Sequence, residues 1–232
     1  VSSHAAFLAR VLQYMETPQY LRRSLIAAHP HLKHVGLLPP LNAPHHPKAS
    51  EWTKYREGVV VESGDGTSTI DVGLEKASLV HRELPKGQRV TVRLKDKGFE
   101  EAGKLDHLRG KWVPQTEPRM RKGTFWGYSV RIAKGLHSAL HDGPYSDGYD
   151  LKIGTSERGE VFDVEKTELG SFKHMLVAFG AVNGLEFALE NDSKYQDSET
   201  DLPSLFDRYF NTCPAQGTRT IRAEEAMYIS MS

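Results

Sequence analysis

The sequence predicts an α/β protein: a mostly parallel sheet with helices on both faces, interrupted by a small OB-like β-barrel. Three observations predict it. Apolar residues recur at helical spacing near the start of the chain. Several short strands, separated by Gly, Asp and Pro turns, crowd residues 57 to 116. Beyond residue 148, three apolar stretches each run into a Gly-bearing turn, and such turns at one edge of a parallel sheet are where α/β proteins bind ligands.

Length and composition bound this reading. The 232 residues, 38% hydrophobic and 26% charged, suffice for one large or two small domains with a real core. Lys plus Arg equal Asp plus Glu at 30 each, so no global basicity advertises nucleic acid and any RNA contact must come from local patches. One cysteine, Cys213, excludes an internal disulfide and fits a reducing, intracellular compartment. No apolar run reaches the length of a membrane span and no signal peptide is visible, so no membrane partner is expected.

The first segment, residues 1–56, opens with a helix pair. Phe7, Leu8, Val11, Leu12 and Met15 are placed for core packing, and Thr17-Pro18 breaks the helix with Pro18 at the first position of the next. Tyr20, Leu21, Leu25 and Ile26 continue the apolar face, and Arg22 and Arg23 are assigned to solvent. Pro39, Pro40, Pro44 and Pro47 then forbid regular structure. His29, His31, His34, His45 and His46 invite a metal, but their spacing matches no zinc pattern and no cysteine or acidic residue lies close by; a solvated or substrate-facing loop is predicted, and no metal.

Residues 57–116 form the predicted barrel, with strands at Gly58–Glu62, Ser68–Gly73, Arg89–Leu94 and Gly110–Val113. OB barrels bind single strands through a basic, aromatic face, and Arg89, Arg93, Lys95, Lys97, Lys104, Arg109 and Lys111 are the candidates for it, among interspersed acids.

Residues 117–232 return to the main domain. Glu117–Gly123 is a basic link, Thr124–Ala133 reads as a strand, and Gly135–His141 as a short helix. The three strand-and-turn units follow: Tyr149–Gly159, His174–Glu186, and Leu205–Phe210 with the polar loop Asn211–Ala226. Between the last two, Glu190–Asp201 reads as an exposed, mobile acidic loop. Thr218 or Thr220 is the candidate cap of a final helix, with Glu224 and Glu225 in its first turns.

The stretches GTSERG, VAFGAVNGLE and NTCPAQGTRTIRAEEA, in this order and spacing, resemble the signature of the SPOUT-class methyltransferases. More narrowly, the chain resembles their archaeal and eukaryotic RNA methyltransferase branch with an OB-like insertion. ARVLQYMETPQYLRR, GLLPPLNAPHHP, YREGVVVE, FWGYSVRIA and DGYDLKIGTSERG extend the resemblance over nearly the whole chain.

The resemblance implies a trefoil-knotted parallel sheet, a homodimer, and S-adenosylmethionine held in the knotted loops, with S-adenosylhomocysteine as product. It implies Thr155, Ser156, Glu157, Arg158 and Gly159 on one wall of the cofactor site and Gly180 on a second. Asn211, Thr212, Cys213, Pro214, Gln216 and Gly217 make a third, with Thr220 and Ile221 over the adenine. Arg158 is the candidate catalytic residue, stabilising negative charge on the nucleophile. Glu157 and Glu224 are candidate bases, although an ion pair or a helix N-terminal carboxylate explains them as well. Cys213 has no His partner in its motif and is assigned to packing.

The chain opens at Val1, almost at the first family helix, which predicts a sheet short of the family's first strands. The implied substrate is structured RNA such as rRNA, modified on a base (uridine N3 the specific expectation) or ribose. Two alternatives stand beside it: an RNA- or protein-binding scaffold, for example on the mitotic spindle, and a protein methyltransferase. An ordinary Rossmann methyltransferase is disfavoured by the lack of an early strand with a GxGxxG-like turn.

Overall fold

A computed structural model describes residues 3–196 and 199–232. Its contacts divide the chain into two units, Val1–Ile132 and Ala133–Ser232, each with its own core.

The first unit begins with helix α1 (Ser3–Glu16), followed by α2 (Gln19–Leu25). Pro18 caps α2 rather than entering it, with extended backbone at ψ 138°. The apolar stripe of α1 is not all core. Ala9 of α1 and Leu21 of α2 are buried, but Phe7, Leu8 and Leu12 are exposed, and Phe7 sets its ring edge-on to His31. The Pro-rich stretch forms only 3-10 turns, at Pro30–Leu32 and Val35–Leu37.

The barrel has five strands: β1 (Tyr55–Gly64), β2 (Thr67–Asp71), β3 (Ser78–Val80), β4 (Arg89–Leu94) and β5 (Leu108–Val113). It closes in the order β1-β2-β3-β5-β4, with β1 paired to β4 and only the β3–β5 pair parallel. Closure leaves no strand edge unpaired around the wall. β3 is the strand that local patterning missed: three residues are too few to show alternation. Asp65 and Gly66 both have positive φ, 50° and 73°, the backbone a two-residue hairpin between β1 and β2 requires. Val60, Ile70, Val72, Val80, Val90, Val92, Leu94 and Leu108 fill the interior, joined by Ala102 of the short helix α3 (Phe99–Gly103). Helix α4 (Glu117–Lys122) follows the barrel. The predicted strand at Thr124–Ala133 is absent: this stretch is irregular, and Trp126 is buried against Tyr55 and Val113 instead.

A buried ionic knot fastens the helices to the barrel. Glu16 and Glu57 are nearly inaccessible, and Arg89 bridges them. Glu57 also accepts from Thr91 at 2.5 Å and from the Trp126 indole at 2.6 Å. His45 and His46 do not belong to a solvated loop. Their Nε2 atoms sit 3.2 and 2.7 Å from the Glu16 carbonyl oxygen, and His45 is fully buried. A carbonyl only accepts, so each Nε2 carries the proton, and the buried Nδ1 atoms have no partner.

The second unit contains α5 (Leu136–His141) and a three-stranded parallel sheet in the order β7-β6-β8, formed by β6 (Leu151–Val161), β7 (Met175–Ala178) and β8 (Arg208–Asn211). Helix α6 (Gly184–Glu190) and a 3-10 turn at Leu202–Leu205 lie between β7 and β8, and α7 (Ala223–Met231) ends the chain. One sheet face packs on Leu136, Leu140, Leu185 and Leu202; the other gathers Leu151, Ile153 and Phe210 under Phe162 and Leu169, which follow β6 in a connection without a helix. Helices on both faces were expected, but helical residues enter the core clusters on only one. The acidic loop is partly anchored: the buried Asp192 carboxylate accepts the His137 amide at 2.8 Å, and Tyr195 joins the core. Asp197 and Ser198 of that loop lie outside the described residues.

Candidate functional site

The second unit carries a cleft of about 510 Å³ at the C-terminal ends of its strands. Three chain segments build it, one after each strand or strand half, as expected for an open parallel sheet.

The first wall comes from within β6. Thr155 and Glu160 are both registered opposite Phe210, so Ser156–Gly159 have no place in the β8 ladder. The GTSERG stretch is therefore an excursion inside a continuous strand and not a turn that ends one. Gly154 must lack a side chain here, because a Cβ would stand 2.5 Å from the Tyr209 ring. Burial pushes the Tyr209 phenol above its ordinary range, while Ser156 and the Arg158 guanidinium pull it back. Thr155 fixes this wall to the second by donating to the Ala178 carbonyl at 2.8 Å.

The second wall is the turn from β7 into α6, Phe179–Gly184. A Cβ on Gly180 would lie 2.6 Å from the carbonyl carbon of Gly184, whose own φ is +72°; only glycine lets the two backbones approach so closely.

The third wall is the loop after β8. Asn211 staples it to the first: its Nδ2 donates to the Glu157 carbonyl at 3.0 Å, and its Oδ1 accepts the Cys213 amide at 3.0 Å. The Thr212 and Ser230 hydroxyls, 2.7 Å apart, hold the loop to α7. That helix is capped at Arg222, not at Thr218 or Thr220, and the Glu225 carboxylate accepts the Arg222 amide at 3.2 Å. Thr218 and Thr220 are engaged within the loop, the former donating to the carbonyl of the latter.

Of the residues expected to gather, Thr155, Ser156, Glu157, Arg158, Gly180, Asn211, Thr212, Cys213, Gln216, Thr220 and Ile221 all line the cleft. Gly159, Pro214 and Gly217 do not. Gly159 faces the β8 backbone, where a Cβ would come within 2.5 Å of the Phe210 carbonyl carbon. Gly217 lines a second cavity of about 500 Å³, which shares Cys213, Gln216 and Ile221 with the first. Sequence reasoning missed Phe179, Val182, Asn183, Glu186, Glu190 and Arg219. Phe179 through Glu186 lie inside the VAFGAVNGLE motif, so their place beside Gly180 was the available signal. Glu190, at the far end of α6, had none.

The cleft mixes charge with apolar surface: Glu157, Glu186 and Glu190 against Arg158 and Arg219, beside Phe179, Val182 and Ile221. Arg158 is largely exposed and reaches Glu186 only at 3.8 Å, an approach weak enough to leave its guanidinium available. No histidine lines the cleft, so Cys213 has no imidazole partner there. Among the described residues, no cluster of three or more His, Cys, Asp or Glu could hold a metal ion, and no helix is long and apolar enough to cross a membrane.

The predicted basic face of the barrel is largely neutralised. Arg89 pairs with Glu16 and Glu57, Arg93 with Glu117 at 2.8 Å, and Arg109 with Asp96 at 2.6 Å and with Glu101. Lys104 meets Glu100 at 3.6 Å. Lys95, Lys97 and Lys111 are exposed and make no ion pair among the described residues.

Comparison with known proteins converges on one family. A family model described as "Putative RNA methyltransferase" matches residues 1–232. Among curated proteins, a Homo sapiens 28S rRNA (uridine-N(3))-methyltransferase is 44% identical over 229 residues, covering 97% of this chain and 59% of its own length. The Drosophila melanogaster protein of the same description is 42% identical over 234 residues, covering 100% of this chain and 47% of its own. A Halobacterium salinarum protein of no described activity is 30% identical over 251 residues, covering 97% and 78%. The chain thus spans about half the length of the animal relatives.

Proposed function

The chain belongs to this RNA methyltransferase family, and from that premise we propose that it methylates N3 of a uridine in ribosomal RNA, using S-adenosylmethionine. The convergence on one cleft of the excursion within β6 and the two segments that follow β7 and β8 carries this reading. The named activity of the human and fly relatives supports the choice of atom and RNA.

The residues present fit the cofactor. A volume of about 510 Å³ lies within the ~300–1,000 Å³ of small-molecule sites. Phe179, Val182 and Ile221 offer apolar surface for an adenine, and the Phe179–Gly184 backbone offers amides and carbonyls at close range. Carboxylates and guanidiniums from Glu186, Glu190, Arg158 and Arg219 complement a zwitterionic amino-acid end and a sulfonium. Thr155, Gly180, Asn211, Thr212, Cys213, Gln216, Thr220 and Ile221 are assigned to holding it. When bound, the cofactor supplies a methyl group already activated by its sulfonium. The protein must orient the uracil in line, exclude water and take up the imide proton. Arg158, at the rim, is assigned to stabilising charge that develops on the uracil oxygens.

The same reading includes the SPOUT trefoil threading of the loop after β8, a homodimer, an OB role for the barrel in holding RNA, and an intracellular site of action, in the nucleus, nucleolus or cytoplasm or on the spindle. The parallel β7-β6-β8 order and the barrel's strand order support the first and third. Division into 1–56 and 117–232 as one methyltransferase domain, with 57–116 inserted, is also part of it. Calorimetry with S-adenosylmethionine should show binding, and labelled methyl should enter rRNA rather than protein. Label in protein alone, or no binding at all, would reject the proposal.

A further inference from the structure

Beside the cleft lies the second cavity, whose purpose the cofactor does not account for. It is lined by Cys213, Ala215, Gln216, Gly217, Thr218, Ile221, and by Glu224, Glu225, Tyr228 and Ile229 of α7. Its volume of about 500 Å³ is ample for a pyrimidine nucleotide, and its lining is more apolar than that of the cleft. Cys213, Gln216 and Ile221 form a wall common to both, so occupants of the two spaces would be separated by one layer of side chains at most. Two of its side chains make no hydrogen bond or ion pair among the described residues. Tyr228 is 78% exposed, and Glu224 is exposed as well, whereas its neighbour Glu225 is committed to the Arg222 amide.

We propose that this second cavity receives the target uracil, stacked on Tyr228, and that Glu224 accepts its N3 proton. The proposal rests on the reading of the cleft as the cofactor site. A ring stacked on tyrosine is sequence-tolerant, so selectivity must come from the edge. Gln216 contributes there: its Nε2 is used on the Thr218 carbonyl at 2.8 Å, which leaves the second amide hydrogen and the oxygen for a base edge. In the transfer, the bond from the methyl carbon to uracil N3 forms as the carbon–sulfur bond breaks. The N3 proton passes to the Glu224 carboxylate, and the neutral thioether departs. Charge balances: the sulfonium's positive charge and the carboxylate's negative charge both disappear. The titratable groups facing Glu224 across the cavity are Glu225 and Tyr228 of α7 and Cys213 of the loop.

The test uses the full-length protein and an rRNA transcript carrying 4-thiouridine. Without cofactor, photo-crosslinks should map to Tyr228 or its loop neighbours, and Tyr228→Ala should weaken RNA binding about tenfold while Tyr228→Phe preserves it. Glu224→Gln should leave cofactor and RNA affinities within about twofold of the original yet lower kcat by about 100-fold or more. Its residual rate should climb with hydroxide concentration where the unmodified protein has levelled. Crosslinks confined to other surfaces, or a Glu224→Gln protein with normal kcat and pH profile, would overturn the proposal. Should the unmodified protein bind no S-adenosylmethionine, it is the cofactor reading that fails, and the crosslinks still decide whether uracil enters this cavity.

Discussion

Arg89 donates to both carboxylate oxygens of Glu16, at 2.6 and 2.9 Å, across 73 positions of sequence. This two-pronged interaction fixes the end of α1 to barrel strand β4. Glu57 takes the third arm of the guanidinium at 2.8 Å, so each charge in the knot has a partner. Removing the Glu16 carboxylate takes two charge-assisted hydrogen bonds from Arg89, which retains only its bond to Glu57. Glu16→Gln should therefore cost the first unit something near the lower end of the ~3–5 kcal/mol typical of a broken buried pair, since Arg89 keeps Glu57. Urea unfolding followed by the fluorescence of the unit's three tryptophans, Trp52, Trp112 and Trp126, measures it, and a destabilisation below about 1 kcal/mol would mean the pair is incidental.

Acid should loosen the same unit. Burial raises the Glu16 carboxyl, but the hydrogen bonds from His45 and Arg89 outweigh it and hold the group below its ordinary range. The stability it contributes is present above the unfolded-state value and is lost as pH falls through the folded one. Burial lowers His46 as well, so the unfolded chain takes up its proton first and stability declines once pH drops below ~6.5. The melting midpoint should fall gently below ~6.5 and steeply below ~4.3. His46→Gln should remove the upper slope and leave the lower one.

In the second unit, Gly180→Ala forces a methyl within 2.6 Å of the Gly184 backbone, which cannot swing away as a side chain would. The turn must shift, at a cost of about 1–3 kcal/mol. Cofactor affinity should drop by a factor of roughly 5 to 150, the same energy expressed as binding. Calorimetry on a variant with an unchanged circular dichroism spectrum checks it, and unaltered affinity would remove the second wall from the site.

Asn211→Ala should free the loop after β8 from the β6 excursion, because one side chain makes both hydrogen bonds. At ~0.5–1.5 kcal/mol each, affinity for S-adenosylmethionine should fall by about tenfold. Asn211→Asp keeps the acceptor for the Cys213 amide and loses the donor to Glu157, so it should sit between the two. Hydrogen exchange at Cys213 separates loosening of the loop from removal of a direct bond to the cofactor.

Salt dependence of RNA binding should report the free lysines, not the paired arginines. Lys95→Gln, Lys97→Gln and Lys111→Gln should each reduce the slope of log affinity against log salt by about 0.7 for every phosphate left without its cation. Arg93→Gln and Arg109→Gln should leave that slope unchanged while lowering stability. The reverse pattern would show that these ion pairs open when RNA binds.

Much of the site was legible because its determinants are local. Gly180, Asn211 and Thr212 stand in short segments whose backbone demands can be read from neighbouring residues, and the strands flanking them are written in apolar runs. Where patterning failed, the signal was either too short or overridden. β3 has too few residues for a period, and Thr124–Ala133 has strand-like residues that find no ladder partner, so burial of Trp126 decides its path.

By itself the sequence determined the opening helix pair, the barrel's strand-rich composition and the glycine-bearing motifs, since propensity and turn chemistry act over a few residues. Tertiary structure alone decided which charges are paired: Arg89 finds Glu16, Arg109 finds Asp96, and His45 closes on α1 instead of facing solvent. It also decided that Glu190 joins the cleft and that Gly159 turns away from it. Those outcomes depend on pairings between distant segments, where desolvation and Coulomb attraction act on positions in space and leave no imprint on local spacing.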